Sequence, residues 1–233
     1  MVAWLASGWQ VGLPLMLLTH GAMVWGTLWP RSRLFSPVAT RFTTTAREVW
    51  LTIDDGPSAD TAAVLDVLDA HGAKATFFLV GARARARPDA VREIARRGHG
   101  IGNHTDGHAS AWFWAQGPRR VRREVDAAQA TLRELTGVAP RWFRGVVGMC
   151  NPFVAAAIAP HGLARAAWSA RGFDAVSASP ETVVARIERD LAPGAIVLLH
   201  EGAAHGGNLE TLRLLLQRLD ALGYRCVVPD VRA

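Results

Sequence analysis

The chain has 233 residues, 50% of them hydrophobic and 20% charged, enough for one sizeable core and short for two. Its formal net charge of +6 is carried almost wholly by arginine, Lys74 being the single lysine; the basic runs at 83–87 and 119–123 are not interleaved with aromatic residues, which argues against a nucleic-acid partner and leaves an anionic surface as the kind such charge attracts. Two cysteines, Cys150 and Cys226, exclude a disulfide scaffold and read as free thiols.

Residues 1–30 carry no charged side chain, and Arg31 and Arg33 follow at once. A run this long can cross a hydrocarbon core as a helix, with Trp25 and Trp29 at the interface. Gly8, Gly12, Pro14 and His20 interrupt it and predict two shorter helices, 2–10 and 13–28. No positive residue precedes the apolar run and no small-x-small cleavage site follows it, so residues 1–35 are expected to be a membrane anchor rather than a cleaved signal peptide, with 36–233 as the folded domain. Arg31, Arg33, Arg41 and Arg47 all follow the span, and the positive-inside rule then places the domain on the cytoplasmic side.

From residue 48 onward strands and helices alternate. Apolar runs predict strands at 49–53, 75–80, 99–103, 142–144, 165–169, 195–199 and 225–228, and helical spacing predicts helices at 61–70, 89–97, 121–136, 154–160, 180–190 and 209–222. Strand 195–199 is wholly apolar and is expected to be buried on both faces. Repeating units of this kind predict a parallel sheet or barrel, in which chemistry sits at the C-terminal ends of the strands.

Three of those ends carry candidate groups. The first strand ends in Asp54-Asp55-Gly56-Pro57; adjacent carboxylates repel unless a cation or a proton separates their roles. The third ends in Asn103-His104-Thr105-Asp106-Gly107-His108. Histidines four apart face the same way on one helical turn and can bind one metal. Two imidazoles and one carboxylate leave positions open for water and substrate, the layout of a catalytic rather than a structural metal site. His-x-x-x-His alone is a weak signal and Asp-Asp-Gly-Pro alone is often a turn; their joint place on neighbouring strand ends makes the signal. The sixth strand adds Val197-Leu198-Leu199-His200, where the imidazole is a core histidine if read alone and a candidate general acid beside a metal site. His71 and His161 read as helix-end residues, His99 as structural and His205 as a candidate substrate contact. Trp112-Phe113-Trp114 is either core packing or a stacking lip beside the site.

These motifs, with Gly98-His-Gly-Ile-Gly-Asn-His-Thr, Leu135-Thr-Gly-Val-Ala-Pro-Arg-Trp-Phe-Arg144 and Pro193-Gly-Ala-Ile-Val-Leu-Leu-His200, resemble the polysaccharide deacetylase family of chitin, chitooligosaccharide and peptidoglycan deacetylases, from about Glu48 to the C-terminus. The resemblance implies an α/β fold, a distorted (β/α) barrel of about seven parallel strands behind the N-terminal hydrophobic helix. It implies a hydrolase removing an N-acetyl or other N-acyl group from a carbohydrate or glycolipid. It implies one divalent metal ion, zinc or else cobalt or manganese, held by Asp55, His104 and His108. By the same resemblance Asp54 is the general base, His200 the general acid, Arg144 the base's support and Asp174 an orienting acid. Val147 supplies an oxyanion N–H, with Gly148 beside it in the substrate-binding segment, and Leu198 lines the acyl-methyl pocket. An Arg144–Asp174 ion pair is expected. The family works mostly outside the cytoplasm, against the positive-inside reading, so the side of the membrane stays open. Two alternatives remain: a deformylase or other amide hydrolase on a lipid-linked sugar, and a silent sugar-binding membrane protein.

The chain departs from the family pattern in three places. Arg144-Gly145-Val146-Val147-Gly148 stands for Arg-Pro-Pro-Tyr-Gly, Arg171 and Ala175 replace an aspartate and a tryptophan of the fourth motif, and Ile53 replaces a phenylalanine. The expectation is an active enzyme with an altered substrate pocket.

Overall fold

The computed structural model describes residues 2–176 and 179–229. In chain order the elements are α1 (Val2–Leu28), β1 (Glu48–Gly56), α2 (Thr61–Ala70), β2 (Ala75–Leu79), α3 (Gly81–Ala86), α4 (Pro88–Arg96), β3 (Gly100–Asn103), α5 (Pro118–Thr136), β4 (Trp142–Phe143), α6 (Val154–Ile158), β5 (Ala164–Arg165), β6 (Ala170–Arg171), α7 (Pro180–Arg189), β7 (Ala195–His200), α8 (Asn208–Ala221) and β8 (Arg225–Cys226). The strands form one eight-stranded sheet in the order β5-β4-β3-β2-β1-β7-β6, with β8 pairing beside β1. Every pairing is parallel, as strands joined by helical crossovers require.

Alternation along β1 and β7 sorts their side chains onto two faces. Val49, Leu51, Ile53, Val197 and Leu199 face outward and are buried against Val64, Leu65 and Leu68 of α2, Val183 and Ile187 of α7 and Leu212, Leu215 and Leu219 of α8. Trp50, Ile196 and Leu198 face inward and fill the hollow of the curled sheet with Phe78, Ala167 and Trp168. By the same parity Asp54 and His200 follow on the inner face, and they are register partners across β1 and β7.

The predicted strand at 165–169 is two short strands instead. β5 pairs with β4 at one end of the sheet and β6 with β7 at the other. One segment thus runs from one edge of the curled sheet to the other, changing neighbours as it goes. Residues 39–42 lie alongside, through the Ala39–Ala166 and Arg41–Ala195 bridges.

α1 also departs from expectation. It is broken into two pieces as expected, but at Gly8 (φ 69°, ψ −179°) rather than at residues 11–12, and it runs unbroken through Pro14. Gly8–Leu28 is 21 residues with mean hydropathy 1.4 and only 17% buried, long and apolar enough for a membrane span or a signal sequence. The residues after it pack onto the barrel. Cys150 N donates to Thr27 O at 3.0 Å, Arg31 Nη2 to Ser169 O at 2.9 Å, and Arg165 to the carbonyls of Ser32 and Ser36. Thr27, Ser32, Ser36 and Val38 are all buried there.

Candidate active site

Parity would send Asp55 to the outer face, away from Asp54. A register irregularity between Asp54 and Gly56 and a left-handed Asp55 (φ 72°) turn it back instead, so that both carboxylates serve one site. A non-glycine residue held in this conformation is strained locally and persists because its surroundings over-determine it; here Arg83 Nη1 donates to the Asp55 carbonyl.

Asp54 is 3% exposed and its neighbour in the barrel, Arg144, is wholly buried. Arg144 Nη1 donates to Asp54 Oδ1 at 2.6 Å and to Thr52 Oγ1 at 2.9 Å, Nη2 to Ala167 O at 2.9 Å and Nε to Ala166 O at 3.3 Å. Its guanidinium carbon lies 4.1 Å from the Phe78 ring centroid. The expected Arg144–Asp174 pair is therefore corrected: Arg144 holds Asp54, and Asp174 holds His200. Asp174 Oδ1 is 3.0 Å from His200 Nδ1 and its Oδ2 accepts from His200 N at 2.6 Å. Burial lowers the His200 pKa, but the hydrogen bond and charge of Asp174, aided by Asp54 and Asp55, raise it further, for a net upward shift.

The segment 104–108 is a loop, not the helical turn that its spacing predicts. Thr105 (φ 66°) and His108 (φ 49°) are both left-handed, and it is this path that brings the imidazoles together, their ring centroids 5.0 Å apart. His104 Nδ1 is 2.8 Å from Arg144 O. A carbonyl only accepts, so Nδ1 carries the proton and Nε2 keeps its lone pair. That Nε2 is 3.5 Å from Asp55 Oδ1 and 3.8 Å from Asp54 Oδ2, and His108 Nε2 is 2.8 Å from Asp55 Oδ1. One donor atom from each of Asp55, His104 and His108 lies within 4.8 Å of the others. Burial pushes the Asp55 carboxyl up, but the two imidazoles outweigh it and hold the carboxyl well below the usual range.

Val147 and Gly148 lie in a tight turn next to Arg144, Val147 at φ 54° with its side chain more than half exposed. A side chain at Gly148 (φ 74°) would strike Trp168 and Pro30, so the turn is pressed against the segment that follows α1. Leu198 is buried on the inner face two residues before His200. The Trp112-Phe113-Trp114 cluster divides: Phe113 is fully buried, whereas Trp112 and Trp114 are exposed. His205 Nε2 donates to Asp174 O at 2.9 Å, His71 pairs with Asp220, and His161 with Asp126. Both cysteines are free.

Several groups that shape the site went unread in the sequence. Glu124 of α5 is 5% exposed and accepts from the N–H of Asp106 and Gly107, at 3.2 and 2.6 Å. Asn103 caps Thr105 N and reaches Val125 O and Gln129 Oε1, while Arg85 forks onto Asp106. Together these freeze the histidine loop. Glu124 stands four residues after Arg120, which in sequence is the signature of an ordinary solvated helix pair. Glu201 is buried behind β1, its Oε2 accepting from Ser58 and Thr61; burial pushes its carboxyl up against those hydrogen bonds.

A curled, all-parallel α/β sheet with acids and imidazoles gathered at its C-terminal ends defines the class: a barrel-type fold with its candidate site where barrel enzymes carry theirs. Within that class the chain belongs to the polysaccharide deacetylase family, whose profile matches residues 41–166. It is 37% identical over 161 residues to a chitooligosaccharide deacetylase of Sinorhizobium fredii, covering 68% of this chain and 74% of the relative. The crystal structure of a peptidoglycan N-acetylglucosamine deacetylase superposes with a TM-score of 0.76 at 30% identity, covering 82% of this chain and 89% of that one. A family 4 carbohydrate esterase from Streptomyces lividans, solved with acetate, gives a TM-score of 0.73 at 27% identity, over 80% and 95% of the two chains.

Proposed function

We propose that this chain hydrolyses the N-acetyl, or a related N-acyl, group of an amino sugar in a carbohydrate or glycolipid, using one divalent cation held by Asp55, His104 and His108. The observation that carries the reading is the convergence of these three donors within 4.8 Å, beside Asp54 and His200 on adjacent strands. The donor set suits a cation. Two imidazole nitrogens and a carboxylate oxygen are the ligands zinc takes in catalytic sites, with cobalt and manganese as chemical substitutes. Asp55 Oδ1 is buried and makes no aligned hydrogen bond although His108 Nε2 is 2.8 Å away, as expected of atoms directed at a shared point.

When bound, the cation supplies Lewis acidity toward the acyl carbonyl and lowers the pKa of water. Asp54, with Oδ1 tied to Arg144 and Oδ2 turned toward His104, accepts the proton of the attacking water. The Val147 N–H donates to the developing oxyanion, a contact worth about 3 kcal/mol. His200, its Nδ1–H given to Asp174, protonates the departing amine from Nε2. Leu198 offers an apolar wall to the acyl methyl, with Gly148 at the rim. α1 serves as a membrane anchor.

The test is amine release from N-acylated sugars, oligosaccharides and glycolipids, after chelation and after return of zinc, cobalt or manganese. Release from none of them by the metal-restored protein sinks the reading. Two further outcomes are expected. In Asp174→Asn the imidazolium of His200 loses its charge partner, its pKa falls, and the protonated acid is lost at lower pH; the alkaline limb of the kcat profile therefore moves to lower pH. An unmoved limb would separate Asp174 from the acid. In Glu124→Ala the loop amides lose their acceptor, and cation affinity falls by about 10–100-fold, measured by competition with a chromophoric chelator.

A further inference from the structure

Beside the site lies an open cavity of ≈850 Å³, whose lining includes Arg31, Arg171, Phe173, Arg186, Arg189 and a single acid, Asp190. Four guanidiniums against one carboxylate make it strongly cationic. Among the described residues none of the four forms an ion pair within 4.0 Å, whereas Arg85, Arg96, Arg97 and Arg218 elsewhere all do. Arg171 is half-buried, and its Nε is shielded from solvent with no hydrogen-bond acceptor. A buried N–H left open on a guanidinium is costly unless something accepts from it. The surroundings hold these groups in place: Arg171 lies 3.9 Å and Arg186 5.8 Å from the Phe173 ring centroid, and Arg186 Nη1 donates to Gly172 O at 3.3 Å. Phe173 is itself left-handed (φ 66°), a strained conformation of the kind that gathers at ligand sites.

The cavity's position ties it to the reaction. Phe173 lines the cavity and the next residue, Asp174, holds His200. Trp168 carries Arg171 5.1 Å from its ring centroid and Arg144, which holds Asp54, at 5.7 Å. Arg31, also in the lining, lies three residues beyond the end of α1.

We propose that this pocket receives an anionic group, phosphate or carboxylate, carried by the substrate next to its N-acyl sugar; the inference rests on the deacetylase reading above. The substrate class narrows accordingly, from neutral glycan to an acidic or phosphorylated amino sugar. Guanidiniums suit this role because they fork onto such oxygens and cannot lose their charge.

The test compares N-acetylglucosamine with N-acetylglucosamine 1-phosphate, soluble and as the polyprenyl-linked ester in detergent, on the full chain and on Arg186→Gln/Arg189→Gln. The phosphorylated substrate is expected to be preferred by about tenfold in kcat/KM, chiefly through KM, and the double variant to lose that preference. Preference for the soluble phosphate assigns the pocket to the anion itself, and preference for the lipid-linked form alone assigns it to a membrane-borne substrate; either supports the proposal. Equal use of charged and neutral sugars, or a preference the variant keeps, overturns it. If no sugar is deacetylated, the failure is that of the reaction, and calorimetry with N-acetylglucosamine 1-phosphate decides the pocket: saturable binding lost in the variant upholds it, and no binding refutes it. Binding of the chain to phosphatidylglycerol vesicles that the variant loses, without any sugar-phosphate preference, also refutes it.

Discussion

Asp54→Asn is expected to lower kcat by about 10²–10⁴-fold, the range associated with a positioned general base, while the protein stays folded. Asparagine keeps an oxygen where Arg144 Nη1 now finds Oδ1 at 2.6 Å, so the barrel interior retains that hydrogen bond; it loses the carboxylate's charge, which leaves the buried Arg144 guanidinium unpaired and is expected to lower the unfolding midpoint alongside kcat. Asp55, His104 and His108 are untouched, and cation stoichiometry should equal that of the parent. The measurement is steady-state amine release, with metal content and thermal unfolding recorded on the same samples. A kcat within a few-fold of the parent would remove Asp54 from the role of base.

Arg144→Met is expected to destabilise the fold by about 3–5 kcal/mol, the usual result of stranding one member of a buried ion pair. Asp54 would keep its charge at 3% exposure without a cation of the protein's own beside it, and Thr52 Oγ1, Ala166 O and Ala167 O would each lose a donor. Urea denaturation should show a lower midpoint at an unchanged slope. The double variant Asp54→Asn/Arg144→Met should be more stable than the sum of the single changes predicts, since it buries no lone charge. A loss under about 1 kcal/mol in Arg144→Met would mean that the pair is better solvated than its burial implies.

Much of this architecture was legible because the strands that carry the chemistry are buried on both faces. β1, β2 and β7 read as apolar runs, and the C-terminal ends of β1 and β7 mark Asp54, Asp55 and His200. Period-two parity could place Asp54 and His200 on one face, but it predicts the opposite face for Asp55; the irregularity that returns it is a local backbone event with no side-chain pattern. The histidine spacing was right about convergence and wrong about its cause. The loop holds its shape through Glu124, Asn103 and Arg85, contacts that come from distant parts of the chain. α3 went unread because its Gly-Ala-Arg composition carries no apolar period. The partner of Arg144 is visible only in the fold, because sequence order says nothing about which charges meet across a barrel. The split of one segment between the two sheet edges likewise depends on where those edges lie, a property of the assembled sheet.

The junction between α1 and the barrel leaves no slack. Thr27 is hydrogen-bonded to Cys150, Arg165 grips the carbonyls of Ser32 and Ser36, and Pro30 abuts the Gly148 turn. A domain mounted this way on a bilayer would not swing on a leash. Its mouth would be held at one height and one tilt above the lipid, so that the reach of the enzyme becomes a fixed length built into residues 27–38. Lengthening that stretch would then change which bonds come within range before it changed the chemistry done on them.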